Sequence, residues 1–190
     1  MDKTFILDKT FSKLDFTTNP IARADYEGCT FTSCNFSNTD LSGINFSECE
    51  FAGCNISMAK LNDASFKDVR FKDCKMLGLH FENCNNILFS AEFRNCTLNL
   101  SSFFKLKLKS TQFANCSLQE VDFGQANLNA VKFDSCDLMG TIFENTNLEK
   151  ADFRTAYNYS LDPEINQIKK AKFSVSGIVG LLRKYDIEIE

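Results

Sequence analysis

The chain has 190 residues, a formal net charge of −4 and a sequence pI near 5.2, a balance that argues against direct nucleic-acid binding. No apolar run approaches the roughly 20 residues of a membrane span, so no membrane insertion is expected. There is one histidine, His80, and no HExxH, GxSxG or Gly-rich phosphate loop, so neither an enzyme nor a bound cofactor is expected.

From Ile6 to Phe81 a large apolar residue stands at every fifth position, with Phe11, Phe16, Tyr26, Phe31 and Phe36 among the first. A seven-residue step then separates Phe81 from Leu88, so two residues are inserted within 82–87. From Leu88 to Phe153 leucine and phenylalanine alternate without exception across fourteen positions five apart. Neither the 3.6-residue period of a helix nor the two-residue period of a strand produces this. A fixed period of five means a repeat architecture.

Two places before each large residue sits a small or β-branched one, as at Ala59, Ala64, Val69, Ala91, Thr111 and Val121. All nine cysteines occupy this position, and Cys34, Cys54 and Cys74 are twenty residues apart, as are Cys96, Cys116 and Cys136. Four pentapeptides therefore make one coil of a four-sided solenoid. Coils stack as parallel strands about 4.8 Å apart, with the large residue pointing inward and the small one beside it. The cysteines read as reduced core thiols packing as small hydrophobes, and every gap fits the repeat rather than the paired spacing of a zinc site.

The tail continues the pattern before leaving it. Phe173 lies twenty residues after Phe153, with Ala171 two before it, which predicts one more partial coil. Asp162-Pro163 reads as a cap followed by proline, opening a short turn. Val175, Ile178, Val179, Leu181 and Leu182 predict a helix at about 175–184, and the alternation of Tyr185, Ile187 and Ile189 with acids predicts a strand. A helix this short must bury its apolar face, either by capping the open coil or by dimerisation through the cap. The expected organisation is a β-helix over 1–155, shifted in register at 82–87, and a cap and dimerisation segment over 156–190.

Ala126-Asn127-Leu128, Ala151-Asp152-Phe153, Cys136-Asp137-Leu138 and Thr146-Asn147-Leu148 resemble the A(D/N)Lxx consensus of the pentapeptide-repeat family. The resemblance implies an all-β fold, a right-handed quadrilateral parallel β-helix, here with a short C-terminal helical cap. The tail from Ala151 to Phe173 resembles that of the Qnr, MfpA and microcin B17 immunity protein group. That resemblance implies a homodimer that mimics DNA and acts on DNA gyrase or topoisomerase IV, and the composition and reduced cysteines fit a single cytoplasmic domain. Qnr-type proteins often carry long loops, whereas this chain has only the two-residue slip.

The charges are unevenly placed. Residues 1–118 carry equal numbers of acids and bases, and so do residues 156–190. Residues 119–153 hold Glu120, Asp122, Asp134, Asp137, Glu144, Glu149 and Asp152 against only Lys132 and Lys150. That stretch is about 8 Å of rod, over which duplex DNA carries about five charges, so the local density fits a DNA mimic; a solvated acidic face is the other reading. A second candidate surface combines Arg94, Lys105, Lys107 and Lys109 with Phe89 and Phe104, which by the count of five face outward. Two functions follow: a topoisomerase-binding DNA mimic that limits quinolone or peptide-toxin poisoning, or a passive scaffold for another protein.

Overall fold

The computed structural model describes residues 4–87, 89–108 and 111–188. Leu88, Lys109 and Ile189 lie outside the described residues. The chain winds as a right-handed, four-sided parallel β-helix, and each side repeats after twenty residues. Side 1 begins with strands β1 (Phe5–Leu7), β3 (Asp25–Glu27), β5 (Asn45–Ser47) and β7 (Ser65–Lys67), paired in that order. Side 2 is the longest sheet: β2 (Thr10–Ser12), β4 (Thr30–Thr32), β6 (Glu50–Ala52), β8 (Val69–Lys72), β9 (Ala91–Arg94), β10 (Gln112–Ala114) and β11 (Lys132–Asp134). Sides 3 and 4 are ladders of single bridges, such as Thr97 to Ser117 to Asp137 on side 3 and Ser102 to Asp122 to Ile142 on side 4.

The register explains the core. In-register pairing places like residues directly over one another, so side 2 stacks Phe11, Phe31, Phe51, Phe71, Phe93, Phe113, Phe133, Phe153 and Phe173 in one column. The ring centroids of Phe93 and Phe113 are 5.1 Å apart with planes 5° from parallel. Side 4 supplies a second column, Phe81, Phe103, Phe123 and Phe143, and each of its rings meets side 2 edge-on, as Phe103 meets Phe113 at 5.9 Å and 85°. Both arrangements are the favoured aromatic geometries. The last partial coil forms as the sequence predicts: Asp152 pairs with Lys172, and Phe173 stacks on Phe153 at 5.3 Å.

Small residues fill what the rings leave. All nine cysteines are free and buried. Side 3 carries a column of six, Cys34, Cys54, Cys74, Cys96, Cys116 and Cys136. The Cys54 thiol donates to the carbonyl of Phe31 in the preceding coil at 3.3 Å, and Cys74 does the same to Phe51. Burial pushes the Cys49 thiol up to about 11 and raises Cys34 and Cys84 as well, so these thiols stay protonated and inert.

The corners hold a regularity that the residue types conceal. The last residue of most pentapeptides is left-handed, including Lys13, Met58, Leu100, Glu120, Ala130 and Lys150. Gly28, Gly43, Gly53, Gly78 and Gly140 fall at the same position. Where an Asp or Asn outside the strands precedes a centre, its side chain often completes the turn. Asp122 accepts from the Gly124 N–H at 2.7 Å, Asp137 from Met139 at 3.2 Å, and Asn147 from Glu149 at 3.0 Å. These are Asx turns, and they account for the polar residue in the consensus.

Three expectations are corrected. Phe89 does not face outward: it is buried, edge-on to Phe81 at 5.9 Å and to Phe66 at 6.4 Å. The inserted residues break the count of five there, after a 3-10 turn at Phe81–Asn83. The predicted helix at 175–184 is two 3-10 segments, Ser176–Leu181 and Arg183–Tyr185. Gly177 and Gly180 let this backbone lie directly on the Tyr159 ring, where a Cβ would clash. The predicted strand from Tyr185 does not form among the described residues, because Tyr185 closes the second 3-10 segment and Asp186 turns left-handed at φ 49°.

Removing one ring should leave a cavity in a column that cannot collapse. Phe113→Ala is expected to cost about 3–5 kcal/mol in chemical denaturation. Exposed Ala130 has φ 60°, so Ala130→Gly should stabilise the fold by about 0.5–1 kcal/mol, the reverse of the usual sign for this change in a helix or strand.

Candidate partner interface

The four sides sort the acids that the sequence groups together. Asp122 and Glu144 flank the centres Phe123 and Phe143 on side 4, and Asp137 precedes Leu138 on side 3. Glu120 stands at the corner between sides 3 and 4, over Gly140 of the next coil. Asp134 and Asp152 are on side 2, and Glu149 is on side 1. The seven residues therefore do not make one face: four lie on sides 3 and 4, and three lie elsewhere.

Ion pairing sharpens the division. On side 2, Lys132 Nζ is 2.9 Å from Asp134 and Arg154 is 2.8 Å from Asp152. The Arg154 guanidinium holds the Asp152 carboxyl below its usual range, and bonds from Lys132 and Thr155 do the same for Asp134. Among the described residues Glu120, Asp122, Asp137 and Glu144 form no ion pair, and neither does Glu149 on side 1. Asp137 instead accepts neutral bonds at 2.8 Å from Gln119 Nε2 and from Asn158 Nδ2. The stretches 115–125 and 135–145, which form sides 3 and 4 of these coils, contain no Lys or Arg. Within the coils, cations gather on sides 1 and 2 instead, at Lys107, Lys132, Lys150, Arg154, Lys169, Lys170 and Lys172, while Arg183 and Lys184 of the cap stand at the end of side 4, in one cleft with Glu144. The C-terminal half of the rod is thus electrically polar across its width. Sequence reasoning missed this, although residue number taken in steps of twenty carries the signal.

The second candidate surface does not assemble. Arg94 is on side 2, Lys107 is on side 1, and Lys105 is at the corner between sides 4 and 1. Phe104 is half-buried, with Lys105 Nζ 4.9 Å from its ring centroid. The exposed apolar residues near the acids are Leu100, Met139, Ile142 and Tyr157. His80 pairs with Glu82 at 2.9 Å, and among the described residues no three His, Cys, Asp or Glu side chains are placed to hold a metal.

The cap is held by both packing and charge. Leu181 packs against the core and Leu182 is half-buried, while Val175, Ile178, Val179 and Ile187 are exposed. The Leu161 N–H donates to Gly180 at 3.1 Å. Lys184 Nζ bridges Asp162 at 2.6 Å and Glu164 at 2.8 Å, and the Tyr185 hydroxyl donates to Glu164. No helix of the described residues is long and apolar enough to cross a membrane.

These features define a class, a four-sided solenoid of stacked pentapeptides. A family model described as "Pentapeptide repeat region" matches residues 24–103, 44–123 and 106–180, and the chain belongs to the pentapeptide-repeat family. Among solved structures it is similar to a trypsin-treated variant of QnrB1, a plasmid-mediated fluoroquinolone resistance protein. The identity is 22%, over 100% of this chain and 95% of that one, with a TM-score of 0.59. It is also similar to HetL of the cyanobacterium Nostoc sp. strain PCC 7120, a pentapeptide-repeat protein involved in heterocyst differentiation regulation. That identity is 16%, over 92% and 88% of the two chains, with a TM-score of 0.54. The sequence matches no curated protein.

The Lys184 clamp sets a pH dependence. Hydrogen bonds from Lys184 depress the Asp162 and Glu164 carboxyls, so their stabilisation of the cap is fully present above the ordinary carboxylate range and is lost as pH falls from that range through the lowered values. The protection of the Gly180 and Leu182 amides, taken relative to the intrinsic exchange rate at each pH, should fall below about pH 4 while protection in the core at Phe113 is kept.

Proposed function

We propose that the chain is a non-enzymatic, cytoplasmic binding protein that engages DNA gyrase or topoisomerase IV, with the acidic sides 3 and 4 occupying the enzyme's basic DNA-binding surface. The observation that carries this reading is the segregation of four unpaired acids from every cation of their coils. Glu120 and Asp122 lie on one level, and Asp137 and Glu144 on the next. Two levels span about 10 Å, over which duplex DNA carries about six charges, so the local density approaches that of DNA. The likeness to QnrB1 supports a role in tolerating quinolones. A homodimer through the exposed cap residues Val175, Ile178, Val179 and Ile187 would set two acidic zones on either side of its centre. A second reading is a scaffold that binds its partner through Leu100, Met139, Ile142 and Tyr157, and their exposure on the same two sides favours it.

Gyrase supercoiling in the presence of a quinolone, titrated with this protein, tests the proposal. Rescue is expected, and binding should weaken steeply with salt, which an apolar interface would not show. The variant E120Q/D122N/D137N/E144Q keeps the Asx-turn acceptors and should fold normally, yet lose at least about tenfold in affinity. D134N/D152N, on the ion-paired side, should bind within about twofold of the parent. Unchanged binding by the fourfold variant would leave only the scaffold reading.

A further inference from the structure

Side 4 ends one coil before the other three. Side 1 continues from Asn147 to Gln167, side 2 from Asp152 to Lys172, and side 3 from Asp137 to Tyr157, whereas the last bridge of side 4 is Asp122 to Ile142. At four earlier levels of side 4 the centre's N–H donates to the coil that follows: Leu41 to Lys60, Phe81 to Ser102, Phe103 to Asp122 and Phe123 to Ile142. The equivalent N–H of Phe143 and the carbonyl of Thr141 make no hydrogen bond among the described residues. The cause is local. The position below Phe143 is Pro163, and the chain swings away in a turn closed by Glu164 N–H to Asp162 at 2.8 Å. Asn166 Nδ2 locks that turn by donating to both Phe143 and Asp162 carbonyls at 2.8 Å.

The departure leaves a cleft of about 440 Å³ between the Ile142 edge and the cap. Ile142 and Ile165 line it and are 43% and 46% exposed. Lys184 in its wall is already held by two carboxylates, but Arg183 beside it has no ion pair among the described residues. An open ladder edge, two exposed isoleucines and a free guanidinium together suit one kind of ligand.

We propose that this cleft binds an extended peptide from another protein, which adds one parallel bridge below Ile142. The peptide residue opposite Ile142 donates its N–H to Thr141 and accepts from Phe143. Its β-branched side chain lies beside Ile142 and Ile165, and a carboxylate on a flanking residue meets Arg183. This is strand addition at a sheet edge, with backbone bonds supplying affinity and one charge supplying direction. It does not rest on the topoisomerase reading: of the four acids only Glu144 lines the cleft, and the peptide's backbone bonds are made to Thr141 and Phe143 instead.

The probe is the acetylated, amidated peptide Thr-Val-Val-Asp-Thr, titrated by calorimetry into the full chain, with amide exchange read at Phe143. Binding should slow Phe143 exchange at least about tenfold while Phe123 is unchanged. Replacing the bridging amide of the peptide by an ester, or Arg183 by Gln, should each weaken binding about tenfold. The ester leaves the protein untouched, and exposed Arg183 can be changed without disturbing the coil. Absence of binding at millimolar peptide, or binding with Phe143 exchange unaltered, overturns the proposal. So does peptide binding that appears only after deletion of residues 186–190 from a chain that sediments as a dimer, because the cleft would then belong to a second copy's tail.

Discussion

The fold depends on in-register parallel pairing at an interval of twenty residues. Pairing at that interval forces identical positions onto one another, and everything else follows from what such positions tolerate. Phenylalanine stacks on phenylalanine at close to the strand spacing, so the nine rings of side 2 can repeat without compensation. Thiols lie over thiols because each can donate to a carbonyl of the coil before. Like charges stacked in the same way would repel, and one ladder of side 2 answers by alternating sign, as where Glu50, Arg70 and Glu92 succeed one another and again Lys132, Asp152 and Lys172.

That constraint gives the acids of sides 3 and 4 their meaning. Asp122 sits between Ser102 and Ile142, and Asp137 between Ser117 and Tyr157, so neither acid has a charged neighbour above or below it. The ladder tolerates them because their other oxygens serve turns and neutral amides. Their charge is left for solvent or for a partner. Where a binding surface requires uncompensated charge, a solenoid can supply it at no cost to its core, because outward positions do not pack in the bore.

The architecture was legible from the period alone, since every centre between Phe93 and Phe153 is Leu or Phe and the count never slips. The left-handed corners were not, because Lys150, Glu120, Leu100 and Met58 share only the absence of a β-branch. The inward turn of Phe89 was hidden by the insertion, which makes counting by five ambiguous until pairing of β8 with β9 restores it. The cap defeated helix periodicity for a different reason: its two glycines permit a tighter winding against Tyr159 that apolar spacing does not reveal. Of the candidate site, the acids were legible as a cluster in the chain but not as members of separate sides.

The slip at 82–87 bears on how such a molecule can change. Val69 pairs with Ala91 and Phe71 with Phe93, an interval of twenty-two, yet both columns continue without a break. Extra chain at a corner is therefore absorbed locally, and the downstream sides keep their angular positions. Length can be added at one edge of the rod without rotating the surfaces that follow it. The sides are free to diversify in charge while corners diversify in size, and neither change propagates along the axis.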